Sequence, residues 1–259
     1  MSDILLERGP NGVATLTLNR PQRKNAFGPG MWDELRRLLH EVSTNPSDRV
    51  LVITGAGGAF CAGADLGGVA ASNAQAHPLH AMVPVNAAAI ALHELGKPTI
   101  AKVNGDAVGA GMNLALGCDL VVAGESARFS EIFARRGLSL DFGGSWLLPR
   151  LVGMHKAKEL AFFADILSAR EAERMGLVNR VVPDAELDAF VADWAERLSA
   201  SAPLALQLSK RLLSNSFGIG LSEALDAEAA AQSVNLVSED TKEGVRAFLE
   251  KRKPTFRGR

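Results

Sequence analysis

The stretch that decides the fold is T99-I-A-K-V-N-G-D-A-V-G-A-G-M-N-L-A-L-G-C-D119. It opens with Thr99–Val103, a short run rich in β-branched side chains that predicts a strand. Three closely spaced glycines follow, and the uncharged Met112–Leu116 then predicts a buried helix. Because the first N–H groups of a helix have no partner within it, this strand–turn–helix unit suits a polarised or anionic oxygen as its ligand.

Further buried strands are predicted on both sides of this stretch. Arg49–Thr54 and Leu120–Ala123 are almost continuous apolar runs, as expected for strands covered on both faces. A second turn rich in glycine and alanine, Gly55–Gly68, follows the first of these strands. If Arg49–Thr54 and Thr99–Val103 are neighbours, the two turns share one edge of the sheet. Their backbone N–H groups then converge on one oxygen, although the pattern fits two simple tight turns equally well.

The N-terminal part of the chain alternates strand and helix patterns. Ile4–Arg8 and Val13–Leu18 predict two strands joined at a Gly-Pro-Asn-Gly turn. Apolar residues at helical spacing predict a helix from Trp32 to about Ser43. Ala70–Pro84 is predicted to be mobile and to lead into a helix that ends near Leu95. Strands alternating with helices indicate βαβ units with right-handed crossovers.

Beyond residue 140 helices dominate. Ser168–Glu171 is a capping-box pattern that opens a helix ending at Gly176, and Val178–Val182 predicts a short strand. A long helix from Leu187 to Leu198 precedes helices over about 203–215, 221–237 and 240–252. We therefore predict an α/β body over residues 1–195 and a helical C-terminal region over residues 196–259. That region packs either on another subunit or on its own body.

Composition excludes several classes of function. The 259 residues carry a net charge of −1, which disfavours nucleic-acid and membrane-surface partners. No stretch has the length needed to span a membrane, and the N-terminus lacks a signal-peptide pattern. The two cysteines, Cys61 and Cys118, are not spaced as a metal or redox motif, so reduced thiols are expected. We predict a soluble, cytoplasmic protein.

Common catalytic patterns are missing from the sequence. His77 and His80 have ligand-like spacing but no nearby cysteine or carboxylate, so no metal site is predicted. No G-x-S-x-G occurs, which disfavours a serine hydrolase. Leu114 occupies the place of the third glycine in a dinucleotide fingerprint, which disfavours a Rossmann site.

Five motifs, in order along the chain, resemble the crotonase superfamily. They are N19-R-P-x-x-x-N-A26, A59-F-C-A-G-A-D-L66, N104-G-x-A-x-G-A-G-x-N-L-A-L-x-C-D119, G143-G-S-W-L-L-P-R-L-V-G153 and A247-F-L-E-K-R-K-P-T-F256. The resemblance implies a spiral of βαβ units with a helical C-terminal trimerisation region, in trimers or paired trimers. It also implies an acyl-CoA thioester substrate, with CoA arriving as part of that substrate and no separate cofactor.

The resemblance also implies positions for the site. The thioester oxygen would lie between the backbone N–H groups of Ala62 and Ala110, in agreement with the converging turns. Arg23 and Lys24 offer cations for the CoA phosphates, unless they are solvated loop charges. Phe248 and Lys251 match positions that reach the CoA of a neighbouring subunit. The full set expected around the substrate is Arg23, Lys24, Ala26, Ala64, Asp65, Leu66, Gly109, Asn113, Phe133, Gly137, Phe248 and Lys251.

The acidic residues depart from the hydratase pattern. Enoyl-CoA hydratases carry glutamates at the positions that match Asn113 and Phe133, and neither of these side chains moves a proton. Glu131 lies two residues away and would need a register shift to replace the second glutamate. Asp141, in G137-L-S-L-D-F-G-G144, matches the base of single-carboxylate enoyl-CoA isomerases. It also resembles the aspartate of ring-epoxide isomerases that act on phenylacetyl-CoA.

Asp141 has a structural alternative, the N-cap of a helix that begins near Gly143. Apolar neighbours at 138, 140 and 142 are expected to raise its pKa and make it a better base. We therefore expect an enoyl-CoA isomerase in which Asp141 moves a proton between two carbons through a dienolate. The alternatives are a hydratase, with Asp141 or Glu131 activating water, and a catalytically silent acyl-CoA-binding homologue.

Overall fold

Two β-sheets frame the computed structural model, which describes residues 2–67 and 78–259. In chain order the strands are β1 (Ile4–Arg8), β2 (Val13–Leu18), β3 (Val50–Gly55), β4 (Ala59–Cys61), β5 (Thr99–Val103), β6 (Asp106–Val108), β7 (Leu120–Gly124), β8 (Arg128–Ser130), β9 (Leu167–Ser168) and β10 (Arg180–Val182). The larger sheet has the order β1-β2-β3-β5-β7-β10, and the smaller one has the order β4-β6-β8-β9. The pairs β1–β2 and β8–β9 are antiparallel, and the other pairs are parallel.

Helices cover the faces of the larger sheet and form the C-terminal end of the chain. They are α1 (Met31–Thr44), α2 (Pro78–His93), α3 (Ala110–Leu116), α4 (Gly144–Phe163), α5 (Ala169–Met175), α6 (Leu187–Ser199), α7 (Pro203–Asn215), α8 (Leu221–Val237) and α9 (Glu239–Leu249). A short 3₁₀ helix spans Ile132–Arg136. The α/β spiral expected from the sequence is confirmed. None of the helices in the described ranges combines the length and apolar character needed to cross a bilayer.

The central strands are apolar along their whole length because they are covered on both sides. Successive side chains of a strand point to opposite faces. Leu51 and Ile53 of β3 therefore join the main core, whereas Val50 and Val52 pack with α6 residues such as Val191. Since β3 and β5 are parallel neighbours, the turns that follow them lie at the same edge of the sheet, as predicted.

Both glycine turns contain a short strand that the sequence did not indicate. β4 lies within Gly55–Gly68 and β6 within the turn after β5, and the two strands pair in parallel. This pairing brings α3 directly onto the end of β4. A Cβ atom added to Gly111 would lie only 2.2 Å from the Cys61 carbonyl oxygen. Glycine is therefore required where the helix begins.

Two predicted boundaries change. Residues 78–84, expected to be mobile, form the first turns of α2, with Pro84 inside the helix, and the rest of Ala70–Pro84 lies outside the described residues. The last helix ends at Leu249 rather than 252, since Lys251 has a left-handed backbone with φ of 55°. The domain division between residues 195 and 196 stays a prediction and falls inside α6.

The C-terminal helices leave large apolar side chains exposed. No residue of α8 is buried, and Leu221, Leu236 and Val237 expose 78%, 64% and 75% of their surfaces. Large exposed apolar side chains on an unburied helix favour an interaction surface. The trimerisation role expected for this region stays a prediction.

Candidate active site

The N-terminus of α3 presents backbone N–H groups, among them that of Ala110, without a partner inside the helix. Gly109, with φ of 55°, is the N-cap, and its own N–H donates to the Ser130 carbonyl over 2.8 Å. Its carbonyl accepts from the Asn113 N–H at 3.0 Å, which is the first hydrogen bond of the helix. The Ala110 N–H lies in that first turn and has no acceptor among the described residues.

The second donor is not the one expected from the sequence. The Ala62 N–H donates to the Lys24 carbonyl oxygen at 2.9 Å, so it is not available to a substrate. The prediction that places the thioester oxygen on Ala62 is therefore corrected. The Lys24 carbonyl is held in place by the neighbouring Asn25, whose buried amide donates to the carbonyls of Ala56 and Ala59.

Ala64 presents the free N–H instead. Ala64 forms a parallel bridge with Phe27 through its two neighbours. The Phe27 N–H donates to the Gly63 carbonyl oxygen, and the Asp65 N–H donates to the Phe27 carbonyl oxygen. Successive N–H groups of an extended chain point to opposite sides. The Ala64 N–H therefore points away from Phe27, and it has no acceptor in the described part of the chain.

Gly63 brings this donor against α3. Its φ is +88°, and a Cβ atom there would lie 2.8 Å from the Val108 carbonyl oxygen and 3.4 Å from the Ala110 nitrogen. A side chain at this position would push the two segments apart. The glycine therefore lets the N–H groups of Ala64 and Ala110 serve one oxygen atom.

The Asn113 side chain joins the Glu131 carboxyl group to the main chain of Asp141. Its Nδ2 donates to the Asp141 carbonyl oxygen at 3.0 Å and to Glu131 Oε2 at 3.4 Å. Asn113 is fully buried and Glu131 is 1% exposed, whereas Asp141 is only partly buried. One oxygen of each of these three side chains is buried without a partner among the described residues, namely Asn113 Oδ1, Glu131 Oε1 and Asp141 Oδ1.

The two carboxyl groups differ in charge at neutral pH. Burial raises the pKa of Asp141 from 3.8 to about 6, so this group is mostly ionised at pH 7. Burial raises the pKa of Glu131 further, to about 8, and the nearby Asp141 charge adds to the rise although the Asn113 hydrogen bond opposes it. At pH 7 Glu131 is therefore mostly protonated, whereas Asp141 is mostly ionised. Such a split pair is typical of acid–base sites.

Asp141 does not cap the helix that follows. The N-cap of α4 is Gly143, and the Gly144 N–H donates to the Asp141 main-chain oxygen rather than to its carboxylate. The next residue, Phe142, has a left-handed backbone with φ of 46°. Its ring is 2% exposed and lies 5.3 Å from that of Trp32, centroid to centroid. Packing thus holds the backbone that orients Asp141.

Two other residues expected near the substrate, Phe133 and Gly137, follow Glu131 in the chain. Phe133 is 5% exposed and lies beside Gly109, since a Cβ atom on that glycine would be 3.5 Å from the Phe133 ring. Gly137 ends the 3₁₀ helix in a left-handed conformation. These two shape the segment that carries Glu131. Their contact with substrate stays a prediction.

Four residues expected around CoA, at positions 23, 24, 65 and 66, lie in the two loops on either side of the Phe27–Ala64 bridge. Lys24 Nζ is engaged by Asp106 Oδ2 at 2.9 Å, and Asp65 is engaged by Arg20 at 3.1 Å, so these charges are partly satisfied within the chain. Arg23 is exposed, and Leu66 is 42% exposed.

The remaining three residues of the expected set are Ala26, Phe248 and Lys251. Ala26 is buried in the same loop as Lys24, and its carbonyl accepts from Arg20. Phe248 is 82% exposed near the end of α9, and Lys251 follows that helix. The CoA-binding role of all these residues stays a prediction.

The sequence did not reveal the contact of Glu131 with Asn113, and it favoured Ala62, whose N–H is engaged, over Ala64 as a donor. The only local signal for Glu131 is a single acid within the apolar context of Phe129 and Phe133, both of which are buried. For Ala64 the deciding fact is a hydrogen bond between Ala62 and Lys24, residues far apart in the chain.

Comparison with known proteins gives consistent matches over the whole chain. The family model described as enoyl-CoA hydratase/isomerase matches residues 8–259. The 1,2-epoxyphenylacetyl-CoA isomerase of Escherichia coli K12 is 39% identical, covering 100% of both chains. The crotonyl-CoA hydratase of Syntrophomonas wolfei is 37% identical and covers 98% of this chain and 97% of its own. A crystal structure of enoyl-CoA hydratase from Bacillus anthracis superposes with a TM-score of 0.95 at 34% identity, with full coverage of both chains.

Proposed function

The chain belongs to the enoyl-CoA hydratase/isomerase family, the crotonases, and on that premise we propose that it is an enoyl-CoA isomerase. It moves a double bond along the acyl chain of an acyl-CoA. The observation that carries this proposal is Asp141, a partly buried carboxylate with an unpaired oxygen and a pKa of about 6. A base of this pKa is largely ionised at neutral pH and is still basic enough to accept a proton from a carbon atom of the substrate.

The proposed mechanism uses the two free backbone donors. The thioester oxygen lies between the N–H groups of Ala64 and Ala110, which stabilise the negative charge that develops when the substrate loses a proton. A single donor of this kind is worth about 3 kcal/mol. Asp141 removes a proton from one carbon of the acyl chain, giving a dienolate, and returns it to another. CoA arrives with the substrate, and no further cofactor takes part.

The names of the relatives support both the isomerase and its main alternative. The Escherichia coli relative is a 1,2-epoxyphenylacetyl-CoA isomerase, which favours an isomerase and makes an aromatic acyl group a reasonable first substrate to test. The Syntrophomonas relative is a hydratase. We therefore keep hydration of a 2-enoyl-CoA as a second candidate.

Replacement of Asp141 by asparagine tests the isomerase. Asparagine keeps the size of the side chain and removes the base, so D141N should lower the isomerisation rate of a 3-enoyl-CoA by about 10²- to 10⁴-fold. Acyl-CoA binding, measured by calorimetry, should remain nearly unchanged. Asp193→Asn is the matched control, because Asp193 is exposed and pairs with Arg197. Turnover by D141N at the rate of the wild-type enzyme would rule out the assignment.

The hydratase alternative rests on the second carboxyl group. Glu131 bonds to the Asn113 side chain, which also holds the Asp141 main chain, and the Asp141 charge acts on Glu131, so a second carboxyl group is present in the same neighbourhood as the base. Rates of crotonyl-CoA hydration and 3-enoyl-CoA isomerisation on one preparation separate the two reactions. A catalytically silent homologue would bind acyl-CoA and turn over neither substrate.

We further propose that the chain forms a homotrimer or a dimer of trimers in the cytoplasm. The exposed apolar surface of α8 supports association. Two free, buried cysteines fit a reducing compartment. Light scattering on the purified protein measures the mass of the assembly, and a monomer would contradict the proposal.

A further inference from the structure

We propose that Glu131 is a positioning residue for the Asp141 base, acting through Asn113 as a neutral acid, and that its ionisation disables the base. The inference rests on the proposed role of Asp141. It adds Glu131, whose protonation state decides whether Asp141 can act as the base. Glu131 is too deeply buried to be assigned a contact with substrate.

The contacts form a chain of three residues. Glu131 Oε2 accepts from Asn113 Nδ2, and the same nitrogen donates to the main-chain oxygen of Asp141. An Asn side chain can face either way unless its partners distinguish its oxygen from its nitrogen. An acceptor on Glu131 keeps the nitrogen on the side of the Asp141 carbonyl. The backbone that carries the base is thereby held where the left-handed Phe142 follows it.

The surroundings of Glu131 favour its neutral form. Its carboxyl group has one long hydrogen bond at 3.4 Å and one buried oxygen without a partner among the described residues. An ionised carboxylate in such a place lacks the donors that would offset its lost hydration. A proton on Glu131 also adds a donor to the residue that contacts Asn113, whose Oδ1 is a buried acceptor without a described partner.

No described cation compensates for a charge on Glu131. Asp141 is the charged group that acts on it, and its effect is repulsive. Helix α3 carries no charged residue. The cations of the other elements packed nearby are engaged elsewhere or exposed: Arg128 pairs with Asp106, Arg135 pairs with Asp165, Arg136 is exposed, and Arg150 lies over the Trp146 ring.

Ionisation of Glu131 places a second negative charge beside Asp141. Repulsion then opposes the charged form of the base, and the Asn113 amide is drawn toward Glu131 and away from the Asp141 carbonyl. The pH profile of kcat should therefore be bell-shaped, with an acidic limb from Asp141 and an alkaline limb from Glu131.

Two substitutions separate charge from position. Glu131→Gln keeps a neutral acceptor of the same size, so kcat at pH 7 should stay within about threefold of wild type, the acidic limb should persist, and the alkaline limb should disappear. Glu131→Met keeps the length but removes the acceptor, and kcat should fall by about 10- to 100-fold with KM unchanged. Glu159→Gln, at an exposed glutamate paired with Lys156, is the control and should leave the profile unchanged.

Three results overturn the proposal: an alkaline limb that survives in E131Q, a wild-type kcat in E131M, or a Glu131 carboxyl that titrates with the exposed glutamates. The last is measured by ¹³C NMR of glutamate-labelled protein, where the Glu131 signal is the one that E131Q removes. If E131M does not fold, the E131Q profile decides alone. The NMR titration needs no turnover, so an enzyme that isomerises nothing would refute the proposed function while a high-pH titration of Glu131 would still support its neutral state.

Discussion

Replacement of Glu131 by glutamine should protect the fold against rising pH. The Glu131 carboxyl is buried, and its pKa lies at about 8 in the folded chain against 4.5 for an unperturbed group. The unfolded chain therefore releases this proton at a lower pH than the folded chain does. The stability that comes from the neutral form is fully present below pH 4.5 and is lost as the pH rises to about 8.

The size of the effect follows from the gap between the two pKa values. Within the window, the free energy of unfolding falls by about 1.4 kcal/mol for each pH unit per such group. Between pH 5 and pH 8 the wild-type chain should therefore lose roughly 4 kcal/mol through Glu131. E131Q has no proton to release there, so its loss over the same range should be smaller by that amount. The contribution of Asp141 is present in both proteins and largely cancels.

Urea denaturation followed by circular dichroism at pH 5, 6.5 and 8 measures this difference. Glu159→Gln serves as the control, because that glutamate is exposed. Its stability should follow that of the wild-type protein at every pH. Parallel stability curves for the wild-type protein and E131Q would refute the reasoning, since they would mean that Glu131 titrates alike in the folded and unfolded chains.

Two further predictions test the oxyanion site and the cysteines. Gly63→Ala places a Cβ atom 2.8 Å from the Val108 carbonyl at a φ of +88°, so kcat should fall by about 10²-fold. Gly30→Ala, with similar φ but no atom within 4 Å, should keep the wild-type kcat, and equal kinetics for both variants would contradict this account. Burial raises the pKa values of Cys61 and Cys118 to about 12, so neither thiol should react with iodoacetamide at pH 8 until the protein is denatured. Rapid labelling of the folded protein would show the burial to be wrong.

Features governed by local patterns were predictable from the sequence. The hairpin of β1 and β2 follows from two strand patterns around a Gly-Pro-Asn-Gly turn, and Ile4 pairs with Leu18. The capping box at Ser168 forms as expected, with hydrogen bonds in both directions between Ser168 and Glu171. Each of these depends on residues a few positions apart, so the short-range preferences of the chain decide it.

Features that depend on distant partners were not predictable in the same way. β4 and β6 have only three residues each and are strands because of their partners in the smaller sheet, where β4 pairs with β6 and β6 also pairs with β8. Ala62 and Ala64 are both alanines in one motif, and only the hydrogen bond from Ala62 to the distant Lys24 decides which N–H is free. No property of either alanine by itself carries that information.

The stretch Thr99–Asp119 illustrates the division. Its sequence alone determined a strand, a glycine turn and a buried helix, because β-branched residues, glycines and an uncharged apolar run each limit the backbone locally. The tertiary structure decided what this unit faces. It placed Gly63, next to Ala64, against Ala110, and it brought Glu131 and the Asp141 main chain to the Asn113 amide. Those neighbours come from separate segments, and the pKa of each carboxyl depends on the burial and charge that only the folded chain creates.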